Sequence, residues 1–281
     1  MMRKFMKYEI KGSYKFVLGI IAVLLVASTI IQYNIYREIN IGSPSGGDVV
    51  FRSLTVLVSI LVIFGAFLAA FLHIVSLFRK ELYENRGYLT FTLPLTGNKI
   101  LGAKILVGAI WYAAIALSIV LYNFFLGSIL HGSGWIGVVK RVISYIGPST
   151  VLSVITSSII ESVQSIFLAL VLIYLSIALS KVSIKNKRIG GLWFVIFLVL
   201  SGFLSFLTSR ISAAFPYYLS LENFKILHYY DIVPYGTIFG NITQMSNIFG
   251  YINIVGSLAQ IAFIVLGFLA TSYLIENKID L

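Results

Sequence analysis

Residues 79–104 read RKELYENRGYLTFTLPLTGNKILGAK and stand between two long apolar runs. The stretch carries Arg79, Lys80, Arg86, Lys99 and Lys104, so the tendency of cationic loops to stay inside assigns it to the cytoplasmic face of a membrane. It also has internal order. Residues 79–85 are charged and helix-permissive, Gly87 can end that helix, and YLTFTL (88–93) is rich in aromatic and β-branched side chains. Pro94 forces a break, and Thr96, Gly97 and Asn98 can cap a helix that starts near Lys99 and re-enters the membrane. A passive connector needs only a few polar residues. This one reads as a docking surface.

Outward from this stretch the chain is overwhelmingly apolar. Of 281 residues, 59% are hydrophobic and 11% charged, and the mean hydropathy is +0.96. That composition predicts an all-α integral membrane protein, one transmembrane domain over residues 1–281 with no separate soluble domain. The absence of cysteine excludes disulfides, thiolate metal sites and cysteine nucleophiles. No signal-peptide cleavage pattern is expected at the N-terminus, because the first apolar run is long enough to span.

Residues 1–15, MMRKFMKYEIKGSYK, place Lys4, Lys7, Lys11 and Lys15 on one helical face and Met2, Phe5, Met6 and Ile10 on the other. This is the pattern of an amphipathic helix at a membrane interface, expected to end at Gly12 and Ser13. Six apolar runs follow, near 16–36, 54–78, 105–129, 161–180, 192–209 and 252–275. Each is long enough for a hydrocarbon core of about 30 Å at about 1.5 Å per residue. With both termini in the cytoplasm, the inner segments hold five (1–15), five (79–104), four (Lys181, Lys185, Lys187, Arg188) and one (Lys278) of the 21 basic residues. The outer side keeps Arg37, Arg52, Lys140, Arg141, Arg210 and Lys225. The asymmetry assigns the orientation, and it explains the net charge of +11 without nucleic acid.

Between the spans, GSPSGG (42–47) predicts an exposed turn, and His73 in span two is read as a packing residue. Span three carries Gly102, Gly108, Ala113, Ala114 and Ala116 for close helix contact. A short interfacial helix is expected over 140–144. Ser153, Ser157, Glu161 and Ser165 form a polar stripe at i, i+4 spacing. A carboxylate in an apolar run is a functional candidate. Glu161, however, lies 20 residues from Lys181, roughly 30 Å along a helix. It is therefore expected near the outer boundary, lining the mouth of a polar path or pairing with Lys140 or Arg141. Residues 210–251 hold ten aromatic side chains and few charges, broken by Pro216, Pro234, Gly236 and Gly240. They predict a re-entrant or interfacial hairpin before the last span.

ENRGYLTFTLP (84–94) followed by NKILGAK (98–104) resembles the cytoplasmic segment after the second span of bacterial type-2 ABC exporter permeases. In that family an acidic residue and a glycine precede an L-P break, and I-L-x-x-K opens the third span. The basic N-terminal helix, six spans, inner termini and re-entrant element match as well. The motif itself covers about 20 residues. The chain departs from some relatives in having no segment large enough for an external soluble domain, which argues against a polysaccharide substrate. The resemblance implies a permease subunit in the bacterial plasma membrane that moves a hydrophobic or amphipathic solute such as a peptide, lipid or drug. It implies a separate ABC ATPase subunit carrying ATP and Mg, a second permease chain, identical or a sister, and contact with membrane lipids. Leu82, Tyr83, Glu84, Gly87, Tyr88 and Leu89 would form the coupling element, and Glu161, Ser157 and Ser165 the outer path. No G-x-x-x-x-G-K-[ST] phosphate loop is present, so the chain binds no nucleotide cofactor by that device.

Two other classes remain in view. A secondary transporter should place ionisable groups or broken helices at the midplane and show a repeat, and an embedded enzyme needs converging His, Asp or Glu. His73, His131 and His228 are scattered, and no H-E-x-x-H occurs.

Overall fold

The computed structural model describes residues 2–41, 46–83, 96–183, 191–232 and 250–278. The helices are α1 (Met2–Ile41), α2 (Gly46–Tyr83), α3 (Gly97–His131), α4 (Ser133–Ile146), α5 (Pro148–Ser183), α6 (Leu192–Ala214), a four-residue α7 (Tyr229–Ile232) and α8 (Ile254–Asn277). Three short strands, β1 (Tyr217–Ser220), β2 (Ile226–His228) and β3 (Tyr251–Asn253), complete the described fold. Helices α1, α2, α3, α5, α6 and α8 are each long and apolar enough to cross a membrane. The protein is a multi-pass helical membrane protein, with one small sheet added. Its contacts divide it into two compact units, Met1–Leu95 with Gly102–Arg141 and Thr96–Leu101 with Val142–Leu281.

In the first unit Val17, Ile20 and Leu24 of α1 share a core with Ala66 and Ala70 of α2 and Val107, Trp111 and Ile115 of α3. On α2 the buried residues Ala66, Ala70, Ile74, Phe78 and Leu82 recur every fourth position, one continuous ridge. Lipid tails are as apolar as leucine, so contact density and hydrogen bonds, rather than escape from water, hold such helices together.

The expected break at Gly12 and Ser13 does not occur: α1 runs unbroken over 40 residues. Ser13 is fully buried, and its hydroxyl donates back to the Glu9 carbonyl at 2.8 Å. Met6 and Ile10 pack against the three-helix core. Glycine in a helix costs about 1 kcal/mol, and this packing offsets it. The loop after span one is also shorter than expected, since α1 reaches Ile41 and α2 begins at Gly46.

The short helix expected over 140–144 is α4, with 14 residues. Glycines at positive φ bound it, Gly132 at 54° and Gly147 at 95°. Both are in the left-handed region that ends helices and that a side chain disfavours. Pro148 then opens α5 thirteen residues before the expected start of span four, its fixed φ suiting a first helical position.

In the second unit α5 packs against α6 and α8, and its stretch from Leu170 to Tyr174 is buried on every side. Gly267 of α8 lies close against α5. A Cβ there would lie 2.7 Å from the Val171 side chain. With 36 residues, α5 is about 54 Å long, some 24 Å more than a hydrocarbon core needs.

The sheet uses that surplus. Its order is β2-β1-β3, with Leu219 opposite both Ile226 and Ile252. Glu222, in the β1–β2 turn, accepts a hydrogen bond from Ser149 at 2.6 Å, at the α5 N-terminus, where a carboxylate is favoured by the helix dipole. Asn253 donates to the Phe215 carbonyl at 3.3 Å and accepts from the Gly256 amide at 2.6 Å, capping α8. The hairpin expected before the last span is thus a β-hairpin beside the protruding end of α5. The remainder of the expected re-entrant segment, 233–249, lies outside the described residues.

An ion-paired helix junction and a hydroxyl-lined cleft

The sequence marks Lys104 as the cation opening the third span. In the structure its side chain is only 2% exposed and pairs with Glu9 at 3.2 Å. The same ammonium lies 3.4 Å from the Leu77 carbonyl of α2 and over the Phe5 ring at 5.7 Å. Two turns further along α3, the Trp111 indole N–H donates to Ser13 at 2.8 Å. Three helices therefore meet on one charge pair, its lysine buried and its carboxylate 17% exposed. Glu9 and Lys104 are 95 positions apart, and no local pattern links them. The available signal was that Glu9 is the only acidic residue in 1–15, on the face opposite the lysines. His73 has the packing role expected of it, stacked on Phe16 with ring centroids 4.2 Å apart.

Of the expected coupling residues, Leu82 is 2% exposed and so anchors the end of α2 rather than presenting a docking side chain. Tyr83 is the last residue of α2. Glu84, Gly87, Tyr88 and Leu89 lie outside the described residues, as do residues 184–190 of the loop expected on the inner side. The chain resumes at Thr96, whose carbonyl accepts from the Lys99 and Ile100 amides at 2.9 and 3.2 Å. Helix α3 starts at Gly97, two residues earlier than expected. The Gly97 amide is satisfied by the Glu276 carboxylate of α8 at 2.8 Å. A Cβ on Gly97 would sit 2.8 Å from Glu276 Cγ, so glycine is required for this close approach.

The second unit holds a cleft of about 420 Å³ between α5, α6 and α8. Ser201, Ser205, Thr208, Ser209 and Ser212 line it from α6, Ser165 and Leu172 from α5, and Gln260 from α8. The α6 hydroxyls fall at 201, 205, 208 and 212, the 3–4 spacing that keeps them on one helical face. Ser201 and Thr208 donate to carbonyls of their own helix at 3.1 and 2.9 Å, leaving oxygen lone pairs to face the opening. Among the described residues no charged side chain lines the cleft. Its chemistry suits hydroxyl, amide or other neutral polar groups on a partly apolar ligand. Sequence reading missed the α6 ladder, although its spacing was visible between Ser201 and Ser212.

The polar stripe on α5 does not act as one surface. Ser153 and Ser157 are 5% and 4% exposed and donate to the Thr150 and Val154 carbonyls at 2.8 and 3.0 Å. Ser165 lines the cleft. Glu161 is exposed. Four-residue spacing advances about 40° beyond a full turn at each step, so twelve residues rotate the stripe by about 120°. Its two ends face different surroundings.

Four further polar contacts escaped the sequence. Asn123 of α3 accepts from Ser28 at 2.6 Å and Gln32 at 3.2 Å on α1, while Thr29 and Tyr122 share a 2.6 Å bond. In the second unit Gln164 of α5 donates to Ser257 of α8 at 2.7 Å.

Compared with protein-family models, curated proteins and solved structures, the chain matches none of them. Fold and site define a class, a multi-pass helical membrane protein with a mostly apolar, hydroxyl-bearing cleft among its long apolar helices.

Proposed function

We propose that the chain is the permease subunit of an ATP-driven exporter, coupled to a separate ABC ATPase. The observation that supports the reading is the cleft, a solute-sized, mostly apolar opening that carries a row of hydroxyls among the spanning helices. The cytoplasmic charge pattern and the motif of residues 84–104 supply the expected ATPase contact. The cleft would take an amphipathic solute by its hydroxyl or amide groups, with Leu172 and Phe197 against its apolar part. Two such chains, identical or paired with a sister, would complete a path, and ATPase closure would act on the ends of α2 and α3. Coupling of this kind needs a rigid element with different contacts in two states. The buried end of α2 and the Glu276-capped start of α3 provide firm attachments on either side of the segment.

Affinity purification of the chain in mild detergent from its native membranes, followed by mass spectrometry, tests the proposal. A stoichiometric ATPase is expected, lost when residues 84–91 are replaced. Glu84→Lys should insert normally and lose substrate-stimulated ATP hydrolysis. Recovery of the chain without any ATPase would contradict the proposal and favour a secondary transporter, with Glu161 the residue to examine.

A further inference from the structure

The first fourteen described residues carry a feature that coupling to an ATPase does not require. Arg3, Lys4, Lys7, Lys11 and Lys15 are all exposed, and so are Tyr8 and Tyr14. At about 100° per residue these seven side chains fall within an arc of roughly 140° on α1. The opposite face is held against protein: Met6 and Ile10 pack, partly buried, on the helix core, Glu9 binds Lys104 and Ser13 binds Trp111.

That engagement changes what the helix can do at a membrane. An interfacial amphipathic helix binds by burying its apolar face in lipid. Here the apolar face is occupied by protein, and the basic face alone looks away from the bundle. Because α1 continues without a break into its span, Lys15 and Lys11 emerge where the helix leaves the hydrocarbon, at the level of lipid phosphates. The tyrosines are residues of membrane interfaces. The single carboxylate of the segment is turned inward and neutralised by Lys104, so nothing on the exposed face opposes an anion.

We infer that this face is a binding surface for anionic phospholipid headgroups around the first span. Its direction favours lipid over an acidic protein: the face looks sideways from the helix core, whereas a soluble subunit would approach along the helix axis. Binding is electrostatic and so sensitive to salt. The inference is independent of the transport reading.

The full-length chain, purified in detergent, is examined by native mass spectrometry with equal amounts of phosphatidylglycerol and phosphatidylcholine. Wild type should retain phosphatidylglycerol preferentially and lose most of that preference on raising the salt beforehand from low to about 0.5 M. Lys4→Gln/Lys7→Gln/Lys11→Gln/Lys15→Gln should reduce the preference at least about tenfold, since each juxtamembrane charge contributes roughly a factor of five. Lys4→Gln/Lys7→Gln, which leaves the charges nearest the span in place to preserve insertion, should reduce it by a smaller but measurable factor. Equal retention of both lipids by wild type, or unchanged preference in both variants, would overturn the inference. So would variants that keep the lipid preference but lose a co-purifying acidic protein, since the face would then serve that protein.

Discussion

The two compact units solve the same problem, polar groups within membrane helices, in opposite ways. In the first, the buried Lys104, Ser13 and Trp111 close on one another and on the partly exposed Glu9. In the second, Ser201 and Thr208 of α6 bond back to their own helix beside a cleft that stays open. A charge in a low-dielectric interior has to be paired, because desolvation costs several kcal/mol per ion. A hydroxyl that has already satisfied its donor on its own backbone can stay available as an acceptor. The closed cluster therefore fixes helix positions, and the open one is suited to a ligand.

The contrast is sharpest at Lys104. Lys104→Met leaves the Glu9 carboxylate, 17% exposed, without its partner and should destabilise the protein by about 1–3 kcal/mol, read by denaturant titration in micelles. Glu9→Gln/Lys104→Met should recover much of that loss. A double variant as unstable as the single one would show that packing around Lys104, not charge pairing, holds the junction. A smaller effect is expected at Asn123, where Asn123→Leu removes acceptance from Ser28 and Gln32. Bonds of this kind in membranes contribute about 0.6 to 1.7 kcal/mol, so the same titration should shift by that amount. Smallest in stability is Ser205→Ala, expected within about 0.5 kcal/mol of wild type. Ser205→Leu, which fills the opening, should also fold, yet lower substrate-stimulated ATP hydrolysis of the assembled complex. Unchanged hydrolysis would remove the cleft from the transport path.

The spans were legible because about 20 apolar residues in succession have few alternatives to a transmembrane helix. The β-hairpin region was legible from its aromatic and turn-forming residues, although the strands were not, since each has only three or four residues. Gly12 misled because a glycine's local cost is visible in sequence, while the Ser13–Trp111 bond that offsets it spans 98 positions. The same holds for Gly97 and Glu276, 179 positions apart. The stripe through Glu161 misled for a different reason: i, i+4 spacing marks neighbours, but over three steps it winds around the helix. The α6 ladder, with alternating steps of four and three, stays on one face and could have been recognised as the better path.

The account rests most directly on the cleft being open to polar solutes while neighbouring positions of α6 face lipid. Because the chain contains no cysteine, single cysteines can be placed without background. The decisive measurement is the labelling rate of Ser205→Cys and Phe203→Cys by a water-soluble, membrane-impermeant thiol reagent in proteoliposomes, with Phe203 as the exposed apolar reference. The account predicts that Ser205→Cys reacts at least about tenfold faster, since only a thiol reached by water ionises readily. Equal and negligible labelling at both positions would contradict it.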